Sequence, residues 1–208
     1  MESKSRKSLF EIINSPFSLL TAGFLFTTLV GSYINNSFHE KSWQNQARFE
    51  IFKERLKEAR GAQQSILALS NKRIFLLRRI YSELSEDRLQ SAREIWKEYF
   101  SVVDEWNNTV NSNANLLSIL FGRNVSVTFL DNTENLQDNP KSLHHVFRKA
   151  HNAVLAIIEC MKSNCSQSEK DNLMKEAKMR MDALGLANDE FSVQLRLSLE
   201  DKELKLLK

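Results

Sequence analysis

Glycine and proline are scarce in this chain, 5 and 2 among 208 residues. Sheet proteins punctuate their strands with such residues, so their scarcity disfavours a many-turned β fold. Cysteine is nearly absent as well. Cys160 and Cys165 have no neighbouring Cys or His pair of the kind a structural zinc site needs, so neither a metal nor a cofactor is expected. The two are either free or joined in one disulfide, which requires an oxidising compartment and a turn between them, because side chains five apart on a straight helix diverge. A Gly-rich phosphate loop is missing, as are a nucleophile beside a base and a convincing carboxylate pair, so no enzymatic activity is expected. The formal charge of +3 is too small to imply nucleic acid by itself.

Charge is missing altogether between Glu11 and Glu40. Within that gap the 19 residues Pro16–Ile34 are strongly apolar, enough at about 1.5 Å per residue to span a hydrocarbon core of roughly 30 Å. Pro16 suits a first helical turn and Tyr33 an interfacial aromatic. A buried core helix would carry a wet stripe, which this stretch lacks. A cleaved signal is the other rival, with Lys4, Arg6 and Lys7 as its basic start and Val30 and Ser32 at a permissive cleavage site. The reading adopted is an uncleaved single-pass anchor over 1–37, followed by a helical domain over 38–208. Gly23, Thr27 and Gly31 recur every four residues, a small-residue face that lets helices associate in lipid. The basic residues before the span, set against Lys41, Arg48, Lys53 and Arg55 after it, give a slight preference for a cytoplasmic N-terminus.

Leu, Lys, Glu, Arg, Gln and Ala dominate the remainder, a composition of long helices. The spacing predicts one from Phe38 to Leu84, with Phe49, Phe52, Leu56, Ala59, Ile66, Leu77, Ile80 and Leu84 on a seam that also holds Gln63, Ser70 and Arg73. Ser85 is the expected N-cap of a second helix, which turns Ile95, Tyr99, Val102, Trp106, Val110, Leu117 and Leu120 inward and ends at Gly122. Residues 122–140 read as an irregular loop, although Val125, Val127 and Phe129 alternate as in a short strand. Asn139 and Pro140 would start a third helix reaching about residue 163. The box Ser166 to Glu169 would start a fourth, which Gly185 breaks. Beyond Asn188, Val193, Leu195, Leu197 and Leu199 alternate, while Phe191, Leu195 and Leu199 fit a helix, which the context favours. The fold class expected is therefore all-α, a transmembrane helix followed by an antiparallel four-helix bundle.

Asn113 falls on the apolar face of the second helix. His144, Arg148 and His151 edge the stripe of the third. Counting residues along an up-down bundle puts Asn113, Arg148 and His151 at similar heights, a candidate polar pocket; the bland alternatives are a register-setting amide and a solvated helix border. The cluster Lys72, Arg73, Arg78 and Arg79 reads either as an ordinary solvated face or as a docking patch for an acidic partner or RNA.

An anchor followed by a small helical bundle resembles the HEPN-like membrane-pore accessory proteins of type VI-B CRISPR systems, and the tract "EWNNTVNSNANLLSILFG" is similar to tracts in uncharacterised bacterial single-pass proteins. The resemblance covers architecture. Ribonuclease-type HEPN bundles place four to six residues between an Arg and a His, whereas His151 follows Arg148 by three, so no residue roles are implied. The expected function is that of a bacterial inner-membrane protein acting by homo-oligomerisation, driven by the small-residue face of the anchor and the seam of the first helix, as scaffold or pore; a role in a defence system is what the resemblance implies. The alternatives are a degenerate nuclease or ligand sensor, with nucleic acid or another protein as partner, and a periplasmic spacer or lysis-type coiled coil.

Overall fold

A computed structural model describes residues 16–130 and 142–206, with side chains from 23 to 204 except 36 and 38. Five helices and no strands occur among the described residues: α1 Pro16–Ser85, α2 Leu89–Phe121, α3 Arg123–Phe129, α4 Leu143–Lys162 and α5 Gln167–Leu206. The described residues are all-helical in fold class, as the composition predicts. It divides into two compact units, Met1–Phe52 and Lys53–Lys208.

The second unit is an up-down bundle, which cross-helix contacts establish. Arg73 on α1 meets Tyr99 on α2, while Ala59 clusters with Leu120, so these helices run antiparallel. Arg60 pairs with Glu203 of α5, and Tyr81 reaches the Met174 carbonyl, again with reversed direction. On α4, Phe147 packs on Trp106 and His151 on Tyr99, which sets α4 antiparallel to α2.

Local chemistry explains most of the boundaries. Every expected inward residue of α2 is buried, because apolar side chains at alternating steps of three and four share one helix face. Gly122, at φ 96°, ends α2 in a conformation that costs other residues energy. Ser166 accepts from the Glu169 N–H at 3.2 Å, one half of the box, and starts α5. Ser85 is not the N-cap of α2. It ends α1, its hydroxyl donating to the Ser82 carbonyl at 2.7 Å, and the chain turns through Asp87 at φ 58° before α2 begins.

Two further expectations are corrected, and one falls outside the described residues. Residues 123–129 form a helix and not a loop or strand. Val125, Ser126 and Phe129 are buried at helical spacing, the Ser126 hydroxyl donates to the Ala114 carbonyl at 2.7 Å, and Phe129 wedges between Trp106 and Phe191. One face satisfied by three anchors outweighs a strand-like alternation with no partner strand. Asn139 and Pro140 lie outside the described residues, and the described part of the third long helix starts at Leu143, where Ser142 accepts from the His145 N–H at 3.3 Å. Gly185 does not break α5. A Cβ there would stand 3.0 Å from Nη2 of the exposed Arg78, a flexible side-chain end that can move aside. The glycine's cost of roughly 0.5–1 kcal/mol is offset by burial of Leu184 before it and by the hydrogen bonds of Asn188 after it. The tail is helical, with Phe191, Leu195 and Leu199 inward.

Among the described residues no helix is long and apolar enough to cross a membrane. The side chains of 16–22, the first part of the charge-free stretch, lie outside the described ones.

Candidate functional site

The most unusual chemistry of the bundle centres on Arg73, which is 2% exposed. The seam spacing puts this residue inside, and its charge makes that costly, by several kcal/mol for an uncompensated ion. None of its described contacts is a carboxylate. Its guanidinium instead faces three rings, with Cζ 4.4 Å from the Phe147 centroid, 5.3 Å from Trp106 and 5.9 Å from Tyr99. Ring faces are negative, and each such contact contributes about 0.5–2 kcal/mol when desolvated. Nε donates to the Tyr99 hydroxyl at 3.3 Å, and Nη1 is buried without a hydrogen-bond partner.

Two histidines of α4 close the cluster. A guanidinium only donates, so the Tyr99 oxygen accepts from Arg73, and it also shares a hydrogen bond with His151 Nδ1, 3.2 Å away. His151 also stacks on Tyr99 and lies beside Trp96. The Trp106 indole N–H donates to His144 Nδ1 at 3.0 Å, which assigns the lone pair to that nitrogen. Burial, and then the charges of Arg73, Arg148 and His145, hold the His144 imidazole down at about 4. Burial and Arg73 lower His151 as well. The Tyr99 phenol is pushed up by burial, against which Arg73 acts only partly. Both imidazoles are therefore neutral near pH 7, and the one full charge at the centre is Arg73.

The three sequence-predicted pocket residues do not come together. Arg148 is exposed on α4, and His151 alone joins the cluster. Asn113 is half-buried; its neighbour Ala114 takes the core position, and Tyr99, where His151 docks, precedes Asn113 by about 21 Å of helix. The Arg that meets His151 comes from α1. Its signal in the sequence was its seam position, obscured by the adjacent basic residues Lys72, Arg78 and Arg79, which are exposed.

A second buried polar group sits one turn away. Ser70 donates to Asn188 Oδ1, and Asn188 Nδ2 donates to Asn71 Oδ1 at 3.1 Å, tying α5 to α1. Cys160 and Cys165 form a disulfide across the α4–α5 turn, with Cα atoms 5.1 Å apart; Asn164 at φ 54° supplies the bend such a pairing requires. Among the described residues no group of three or more His, Cys, Asp or Glu is placed to hold a metal.

In the first unit, Phe24, Leu25, Phe26, Leu29, Val30, Tyr33 and Ile34 are all exposed. Nothing lies within 4 Å of where a Cβ on Gly23 or Gly31 would stand, and Thr27 donates back to the Gly23 carbonyl. Thr28 does the same to Phe24 at 2.7 Å. Comparison of the chain with protein families, with curated proteins and with solved structures finds no match.

Proposed function

We propose that this protein is a membrane-anchored helical bundle that acts as a scaffold through homo-oligomerisation, with its N-terminus cytoplasmic and its bundle on the oxidising side of the membrane. The observation that carries this reading is the character of α1 between Gly23 and Ile34. Its large apolar side chains are exposed over most of the helix circumference, in a stretch that the sequence leaves without charge from Glu11 to Glu40. A helix apolar on nearly all sides, in a chain otherwise about a quarter charged, fits lipid as its solvent better than it fits water. The open small-residue face of Gly23, Thr27 and Gly31 supports close helix association there.

Scaffold is favoured over pore by the hydroxyls. Thr27 and Thr28 turn back on their own helix carbonyls, which satisfies them without a water-filled wall. The disulfide supports placement of the bundle outside the cytosol, where thiols persist reduced. A degenerate nuclease or ligand site built on Asn113, Arg148 and His151 has no such support, since those residues are separated.

Two measurements test the reading. The full-length protein is expected to remain in membranes through alkaline carbonate, to leave them in mild detergent, and to show by light scattering a discrete mass of two or more chains. Release by carbonate would refute the anchor, and a monomer would refute assembly. Alkylating cells before lysis, without reductant, is expected to leave both cysteines unmodified; modification of both would place the bundle in the cytosol.

A further inference from the structure

The outward face of α5 carries a second apolar stripe. Met179, Leu186, Val193, Leu197 and Leu204 are 56, 67, 44, 54 and 59% exposed, while Ala177, Met181, Leu184, Phe191, Leu195 and Leu199 of the same helix are buried. The exposed set is spaced 7, 7, 4 and 7, a heptad pattern in which Ala183 fills one more position and Glu190 and Glu200 fill two, and it covers most of the helix length. Scattered apolar residues on a surface need no explanation, but a sustained repeat of 3.5 residues is the period by which one helix matches another. Within its own bundle α5 has already met its partners on the opposite face.

We infer that this stripe docks on the same stripe of a second copy, antiparallel, about a two-fold axis near residues 191 and 192. The flanking charges select both partner and direction. Antiparallel pairing in that register sets Leu197 against the other copy's Leu186 and Met179 against its Leu204. It also brings Asp189 beside Arg196 and Arg180 beside Asp201, each twice by symmetry. Asp182 comes level with Glu203, whose charge is already met by Arg60 at 2.6 Å. Glu190 and Glu200 fall in the seam either way: antiparallel pairing sets them against Val193 and Ala183, whereas parallel pairing stacks each on its own copy, sets Lys175 against Arg180 and gains only Arg196 with Asp201. The arginines' present pairs, Arg180 to Glu176 at 3.2 Å and Arg196 to Glu200 at 3.8 Å, are exposed bonds within one helix that exchange at little cost. Self-complementary charge points to a copy of this chain rather than to an unrelated helix.

The inference rests on the reading of the protein as a homo-oligomer and is independent of its anchor. The test is co-expression of full-length chains carrying Leu186→Cys on one tag and Leu197→Cys on another, oxidised mildly in membranes and again in detergent. A cross-link between the two tags, with little between identical chains, is the expected result. Cross-linking of Leu186→Cys to itself would overturn the antiparallel register, and no cross-link of either kind would overturn the contact. Leu186→Glu with Leu197→Glu in one chain is expected to lower the detergent mass by a factor of two while the circular-dichroism melt stays within a few degrees of wild type; an unchanged mass counts against the proposal. If the wild type is itself monomeric, assembly as a whole fails, whereas an oligomer without the cross-link leaves assembly standing and removes only this interface.

Discussion

Ser70 and Arg73 lie three residues apart on α1, both buried, and each confronts the loss of water in its own way. Ser70 is answered by hydrogen bonds through Asn188 to Asn71. Arg73 is answered by the faces of Phe147, Trp106 and Tyr99 and one hydrogen bond, leaving Nη1 unmatched. The first cluster is small and directional. The second is large and apolar, with a charge that meets no carboxylate among the described residues. The difference teaches that a position can be buried by periodicity even where its polar group is costly, and that aromatic area then substitutes for a counter-ion.

Breaking the aromatic side has the largest expected effect. Phe147→Ala removes a fully buried ring and the closest face over Arg73, and about 3–5 kcal/mol of stability should be lost in denaturant titration. A loss below 1 kcal/mol would show that the cage is not packed as described. Asn188→Ala breaks the hydrogen-bonded side and strands the buried Ser70 hydroxyl, at about 1–3 kcal/mol in the same assay.

Arg73 itself sharpens the contrast through sign. Arg73→Met keeps bulk, discards the unpaired charge and is expected to match or exceed wild-type stability, as replacements of buried ions often do. Arg73→Lys keeps the charge, loses the flat stacking surface and the Nε bond, and is expected to lie below both. If Met proved the less stable of the two, the cation would have a partner beyond the rings.

A smaller effect follows from protonation. The His144 imidazole sits at about 4 in the folded bundle against an ordinary 6.5, so the unfolded chain binds the proton more readily. Stability is full above about 6.5 and is lost progressively as pH falls toward about 4. His151, also lowered, acts in the same direction. Thermal melts between pH 7.5 and 4.5 should show the decline, and His144→Gln, which can still accept from Trp106, should flatten it. The smallest effect belongs to Arg60→Ala, which removes an exposed pair with Glu203 and should cost no more than about 1 kcal/mol.

Much of the fold was legible because helices state their own boundaries. The inward residues of α2, the stop at Gly122 and the Ser166 box all depend on neighbours within one or two turns. The short helix α3 was not legible, since seven residues become helical only when Val125, Ser126 and Phe129 find the faces of other helices. The site was half legible. His151 and the seam position of Arg73 were visible, but which residue of one helix stands level with which of another depends on turn geometry and tilt. Counting along straight rods set Asn113 and Arg148 beside His151, where the bundle sets Tyr99 and Arg73. The tail of α5 confused strand with helix because two apolar faces overlap there, one inward and one outward.

The two tight turns, at Asp87 and at Asn164, bear on how the chain finds this arrangement in time. Each joins a pair of neighbouring long helices into a hairpin, α1 with α2 and α4 with α5, through a few residues whose one left-handed backbone angle is taken by an Asp or an Asn. Contacts that are close in sequence close quickly, so each hairpin is set to zip from its turn outward. The expected slow event is the meeting of the two hairpins, which is what brings Arg73 to Phe147. Mutations along the α1–α2 and α4–α5 seams should therefore slow folding, whereas those at Phe147 should chiefly hasten unfolding.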